Sequence, residues 1–222
     1  MPGIGLLNEK PLHAAVKQWY ARPGDRLEVP VDGFVVDIVR GDLLIEIQTG
    51  GFSGIRSKLA KLVRAHPVRL VYPLVRETWI VRPATGDRAR IVRRKSPRQG
   101  RLEDLFLEMV HIPQLVSHRN FSLEVLIVSA EEVRRFEGKR AWRRRGWAIQ
   151  ERRLLEVLGQ RGFEQSADWR GLLPAGLASF TTGELATALN TSRVLAQKMA
   201  YCLHKGQVID LVGKRGRAKL YR

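Results

Sequence analysis

Three short segments rich in Val, Ile and Leu follow one another almost without interruption: Arg26–Asp32, Phe34–Arg40 and Leu43–Gln48, parted only by Gly33 and by Gly41-Asp42. Each reads as a buried strand. A Gly-X pair suits a two-residue type II′ hairpin loop, so Gly41-Asp42 sets Arg40 opposite Leu43 and, counting back, Asp37 opposite Glu46. Directly opposed residues share one face of the sheet, and the period of two adds Gln48 to the face of Glu46. Two carboxylates and an amide oxygen therefore converge. Like charges held so close repel and resist desolvation, so the arrangement calls for a cation. Oxygen donors alone suit a hard ion, Mg²⁺ or Mn²⁺, shared with water and a substrate phosphate. The alternative is a shifted register that leaves one acid in solvent at a sheet edge.

Helical segments flank these strands. Asn8 and Pro11 open a helix whose apolar stripe is Leu12, Ala15, Val16 and Trp19. Glu9 falls within that stripe, placed either to support the cation or to complement the helix dipole. Ser53–Ala65 resumes helical spacing through Ile55, Leu59, Leu62 and Val63. There Lys58 sits at the margin of the stripe, within reach of the carboxylates or as a solvated lysine, while Lys61 and Arg64 point away. A strand at Val68–Leu74 follows, so the order is helix, three strands, helix, strand, an α/β or α+β core. Further on, Thr78–Arg82 and Arg88–Arg94 read as a hairpin around Gly86-Asp87, Leu102–Val110 as helical, Phe121–Val128 as a strand and Ala130–Phe136 as a short helix.

These residues resemble the PD-(D/E)XK phosphodiesterase superfamily, the restriction-endonuclease-like fold, over roughly the first 130 positions. In that family the second and third strands carry an Asp and then an acid-X-Lys triplet that bind Mg²⁺ for phosphodiester hydrolysis. Asp37 and Glu46-Ile47-Gln48 stand in those places, and Glu9 matches an acid often found on the first helix. Val36 replaces the family's Pro. The triplet ends in Gln48 where lysine is usual; some members of the family carry Gln or Glu there, and others draw the lysine from the following helix, which Lys58 would imitate. It implies a mixed sheet flanked by helices, catalytic Asp37, Glu46, Gln48, Lys58 and Glu9, a metal on Asp37 and Glu46, and an assembly that includes the homodimer.

The C-terminal part has a different texture. Leu154, Leu155 and Leu158 suggest one helix face, and Thr181-Thr182-Gly183-Glu184 is a capping box opening a second. Asn190-Thr191-Ser192 is a tight turn, and Ser192–Lys205 a third helix with Leu195, Met199 and Leu203 inward. Strands Val208–Val212 and Ala218–Tyr221 follow, around the basic tip Gly213–Arg217. The pattern resembles the winged helix-turn-helix family across residues 149–222. That resemblance implies a recognition helix carrying Ser192, Arg193, Gln197 and Lys198 toward base edges, and a wing whose Lys214, Arg215 and Arg217 meet phosphate. The expected division is thus a nuclease-like domain at 1–137, a basic linker at 138–148 and a winged helix at 149–222.

Charge points the same way. The 39 Lys and Arg against 22 Asp and Glu leave +17, and the pI is near 11.0, a field that attracts polyanions. By thirds the excess is +3 over residues 1–75, +8 over 76–147 and +6 over 148–222. Residues 134–147 interleave Arg and Lys with Trp142 and Trp147, as phosphate-tracking surfaces or solvated basic linkers do. A single cysteine, Cys202, excludes an intrachain disulfide and a Cys-rich zinc site, and no apolar run reaches 18 residues. The expectation is a cytoplasmic, metal-dependent DNA endonuclease or nuclease-like protein, with DNA ahead of RNA as partner and no membrane. Its rival is a non-catalytic DNA-binding regulator on a degenerate nuclease scaffold.

Overall fold

The computed structural model describes residues 10–82, 91–139 and 146–222. Helix α1 (Pro11–Tyr20) has Pro11 in its first turn and buries Leu12, Val16 and Tyr20. Trp19, expected on that stripe, is 49% exposed, because Tyr20 takes the position four residues after Val16. Strands β1 (Arg26–Val31), β2 (Phe34–Arg40) and β3 (Leu43–Ile47) form an antiparallel meander. Between β1 and β2, Asp32 and Gly33 both have positive φ, 50° and 83°, as a type I′ turn demands. Gly41 at φ 57° opens the β2–β3 turn with Asp42 in the ordinary region, which is the type II′ pattern.

Helix α2 (Phe52–Leu62) is the crossover that lets β4 (Val68–Arg82) lie parallel to β3, from Leu44↔Val68 to Ile47↔Val71. Strand β5 (Val92–Lys95) pairs antiparallel with β4. A 3₁₀ turn at Leu102–Leu105 runs into α3 (Phe106–Met109), and another at Pro113–Ser117 precedes β6 (Phe121–Phe136) and β7 (Trp147–Phe163). The seven-stranded mixed sheet has the order β1-β2-β3-β4-β6-β7, with β5 on β4. Helices α4 (Ser166–Arg170), α5 (Thr182–Ala188) and α6 (Arg193–Lys205) follow, then a hairpin of β8 (Leu211–Arg215) and β9 (Ala218–Tyr221). The fold is mixed α/β, a sheet with flanking helices. Among the described residues no helix is long and apolar enough to cross a membrane.

The chain forms two compact units that interleave in sequence. The first is drawn from Met1–Pro23, Pro73–Gly100 and Val125–Arg161, the second from Gly24–Tyr72, Arg101–Glu124 and Gly162–Arg222. This differs from the consecutive division at 137 and 149. In the second unit Val36, Ile38, Ile45, Phe52, Leu59 and Leu70 are fully buried, as are Phe106, Trp169, Met199 and Leu203. Trp169 stacks obliquely on Phe163 at 4.5 Å between ring centres. In the first unit β6 buries Val125, Leu126, Val128 and Ala130, drawn from both faces of the strand.

Several local expectations are corrected. Ala130–Phe136 is the end of strand β6, and Leu154, Leu155 and Leu158 lie in strand β7. The spacing of these residues fits a helix, but pairing overrides it: Glu137 N–H donates to the Gly146 carbonyl at 2.7 Å, and Phe136 packs edge-on against Trp147 at 5.5 Å. The expected linker at 138–148 therefore falls between two paired strands and ends inside the second, since Trp147 and Ala148 already belong to β7; residues 140–145 lie outside the described residues. Strand β4 runs unbroken through Pro73 to Arg82, and the hairpin tip at Gly86-Asp87 lies outside the described residues. The penultimate strand begins at Leu211, not Val208.

Gly206 caps α6 where a Cβ would come within 2.4 Å of Val116 Cγ1 and 2.5 Å of its Cβ. A branched side chain in a packed turn has little room to retreat. Gly206→Ala is expected to cost on the order of 1–3 kcal/mol, read as a lowered midpoint in a thermal melt. An unchanged midpoint would mean that this contact yields freely.

Candidate functional site

The β2–β3 pairs are Ile38↔Ile45, Val39↔Leu44 and Arg40↔Leu43, and the same count sets Asp37 opposite Glu46 one step beyond Ile38↔Ile45. Asp37 Oδ2 accepts the Ile47 backbone N–H at 2.8 Å, which holds its carboxylate against β3. Glu46 is only 4% exposed. Its Oε2 accepts from Lys58 Nζ at 2.6 Å, and the same ammonium donates to the Val35 carbonyl at 2.6 Å. Helix α2 thus brings Lys58 onto the carboxylate. The other oxygen, Glu46 Oε1, is buried without a hydrogen bond in the structure. Burial pushes the Glu46 carboxyl up to about 7; the Lys58 ammonium opposes this and the charge of Asp37 adds to it.

A buried, unpartnered carboxylate oxygen beside a second carboxylate is a donor set that suits a hard cation such as Mg²⁺ or Mn²⁺. Among the described residues no group of three or more His, Cys, Asp and Glu closes into a cage. Mg²⁺ does not require one, since one or two carboxylates with water and phosphate hold it. The residues present fit the ion.

Gln48 is directed elsewhere. Its amide donates to the Gly50 carbonyl, bracing the turn into α2. That turn contains Gly50 and Gly51 at φ 147° and 70°. Gly51 is the N-cap of α2 and has no side chain to offer, so Glu108 of α3 serves instead: its Oε2 accepts the N–H groups of Gly51 and Phe52 at 2.9 and 3.0 Å. No local spacing signals Glu108, which is more than 50 residues away. Glu28 also went unread. It occupies the β1 position between Leu27↔Ile38 and Val29↔Val36, in the row of Asp37 and Glu46, at φ 52°. Counting back from Gly33 would have found it. Glu9 lies outside the described residues.

In the C-terminal part Thr181 and Glu184 form the expected capping box, with Thr181 N–H to Glu184 Oε2 at 2.8 Å and Glu184 N–H to Thr181 Oγ1 at 3.3 Å. Ser192 caps α6, its Oγ accepting the Leu195 N–H at 3.2 Å. That oxygen is committed to the helix. Arg193 and Gln197 are exposed, joined by Val194 (60%) and by Tyr201 (41%) one turn further on; Lys198 is half-buried. Lys214 and Arg217 are exposed on the β8–β9 hairpin, whereas Arg215 pairs with Glu184. The Thr181 N–H, and then Arg215, hold that carboxyl below its ordinary range. Cys202 is buried and its thiol is pushed up to about 12, so it offers no thiolate at neutral pH. In the first unit Arg134 and Arg152 both bind Glu132, at 2.9 and 3.1 Å, and Trp147 lies under the Arg82 guanidinium at 4.6 Å. Trp142 lies outside the described residues.

Residues 10–164 match a family described as Domain of unknown function (DUF8091), and the chain belongs to that family. The matched region ends just after β7, so it includes the whole seven-stranded sheet and stops before α4. The chain is also 30% identical over 221 residues to an uncharacterized protein of Treponema pallidum (strain Nichols), covering 99% of this chain and 87% of that one. That likeness extends through the C-terminal helices. No solved structure matches.

Proposed function

We propose that the chain is a divalent-metal-dependent phosphodiesterase acting on DNA, a restriction-endonuclease-like nuclease whose α5–α6–β8–β9 segment works as a winged helix. The observation that carries this reading is Glu46 Oε1, buried and unpartnered beside Asp37 while Lys58 holds the other oxygen. The succession of α1, an antiparallel β1–β2–β3 meander, α2 and a β4 parallel to β3 supports the same reading.

Asp37 and Glu46 would hold Mg²⁺ or Mn²⁺, which when bound polarises the scissile phosphate and acidifies a water. Lys58 fixes the orientation of the Glu46 carboxylate and offsets part of the effect of its burial. Placed beside the carboxylates, the same ammonium favours the developing negative charge. Gln48 acts at one remove, by bracing the Gly50-Gly51 turn from which α2 projects Lys58. Helix α6 presents Arg193 and Gln197 to the major groove, with Lys214 and Arg217 on phosphate. Arg215 joins them by leaving Glu184.

One observation favours the regulator as a second reading. The Lys58–Glu46 pair already neutralises the buried acid without an ion. The test is incubation of the full chain with supercoiled plasmid, branched duplex and single-stranded DNA in Mg²⁺, Mn²⁺ or EDTA. The nuclease reading expects cutting or nicking of at least one substrate with metal and none in EDTA. If every substrate survives in both metals, the regulator reading stands.

A further inference from the structure

The net charge is divided very unevenly between the two units. The described residues of the first unit carry 15 Lys and Arg against 6 Asp and Glu, +9 over 65 residues. The second unit carries 18 against 14, +4 over 134 residues, although it contains both the carboxylate pair and the α6 helix. Division by thirds of the sequence conceals this, because the first unit is gathered from three separate stretches.

Most acids of the first unit are already engaged. Glu77 pairs with Lys95 and Glu131 with Arg93, each at 2.9 Å; Glu132 holds Arg134 and Arg152, and Glu151 pairs with Arg153. Arg76, Arg94, Arg98, Arg135 and Lys139 are exposed and make no ion pair among the described residues. In β5 the pairing with β4 sets Arg94 opposite Ile80 and Arg93 opposite Val81, so cations alternate across both faces of that strand.

The aromatic residues indicate which part of a nucleic acid such a surface fits. Trp79 is covered by the Arg93 guanidinium at 4.2 Å and Trp147 by Arg82 at 4.6 Å. Ring faces occupied by guanidinium groups are not open platforms for unpaired bases. What remains on offer is a set of cationic N–H donors, which suit phosphate oxygens. At roughly 3.3 Å per residue, the part of β7 in this unit spans on the order of 50 Å, more than one turn of duplex.

We propose that the first unit is a docking surface for the phosphate backbone of duplex DNA, with Arg94, Arg98, Arg135 and Lys139 among its contacts, and that it supplies more of the affinity than the β8–β9 tip does. The choice of DNA rests on the proposed function; the contact itself needs no cleavage.

The test is fluorescence anisotropy of the full chain on a 20-bp duplex in EDTA across a salt series. Arg94→Ala, Arg98→Ala, Arg135→Ala and Lys139→Ala combined should weaken binding at least tenfold and flatten the salt slope by about three to four units, at about 0.9 per phosphate. Lys214→Ala with Arg217→Ala should flatten it by about two units or fewer. Arg94→Lys, Arg98→Lys and Arg135→Lys combined keeps the charge and should keep the slope within one unit, which separates lost contacts from lost folding. Wild-type slope in the alanine variant, an equal loss in the lysine variant, or stronger competition by single-stranded DNA or RNA of equal length would overturn the proposal. Salt-dependent duplex binding by a protein that cuts nothing removes the nuclease reading alone. Cutting by a protein whose binding ignores these substitutions removes this proposal alone.

Discussion

Asp37→Asn is expected to abolish metal-dependent cleavage, by about 10³-fold or more, equivalent to about 4 kcal/mol of barrier, while leaving duplex affinity in EDTA intact or slightly raised. The substitution keeps the shape of the side chain and an oxygen for the Ile47 N–H. It removes one of the two charges that hold the ion, and with it a carboxylate that repels phosphate until metal intervenes. Melting curves give an independent check. Saturating Mg²⁺ should raise the midpoint of the wild type, by about 2.7 kcal/mol of stability at 100 times Kd, and leave the variant's unchanged. Equal shifts in the two proteins would mean that any ion sits elsewhere.

The second large effect is on stability against pH in the absence of divalent ions. Burial raises the Glu46 carboxyl from 4.5 to about 7 in the folded chain, so the folded state binds this proton more tightly than the unfolded state does. Stability from this group is therefore fully present below about pH 4.5, declines as pH rises, and is lost above about 7. The span corresponds to about 3 kcal/mol. Glu46→Gln mimics the protonated acid at every pH. In urea titrations without metal, wild type should match the variant at pH 4.5 and fall below it by about that amount at pH 7.5. With Mg²⁺ the gap should narrow, since the ion favours the charged form. A gap that ignores pH would show the Lys58 ammonium offsetting burial completely.

The meander was legible because its signals are local. Valine and isoleucine runs mark the strands, glycines at positive φ mark the turns, and a two-residue loop fixes the pairing of Arg40 with Leu43 and hence the row of Asp37 and Glu46. The approach of Lys58 follows from its angle on α2. What was missed depends on distant partners. Residues 130–136 and 154–158 have helical spacing, yet each belongs to a long paired strand whose partner lies across the β6–β7 connection. Gln48 shared a face with Glu46 on paper, but the carbonyl of Gly50 offered its amide a nearer acceptor. The concentration of cations in the first unit was hidden for the same reason, since three stretches must fold together before it exists.

The Glu108 cap sets the order in which the carboxylate pair acquires its lysine. Helix α2 has 11 residues, begins at two glycines and has no acid in its first turn, so it is marginal on its own. The N–H groups of Gly51 and Phe52 are satisfied by a residue 57 and 56 positions downstream, and closing a loop of that length is entropically slow. A nascent chain that has emerged only as far as Leu62 therefore holds strands bearing Asp37 and Glu46 but no firmly placed Lys58. Placement of Lys58 beside Glu46 is thus tied to the synthesis of α3.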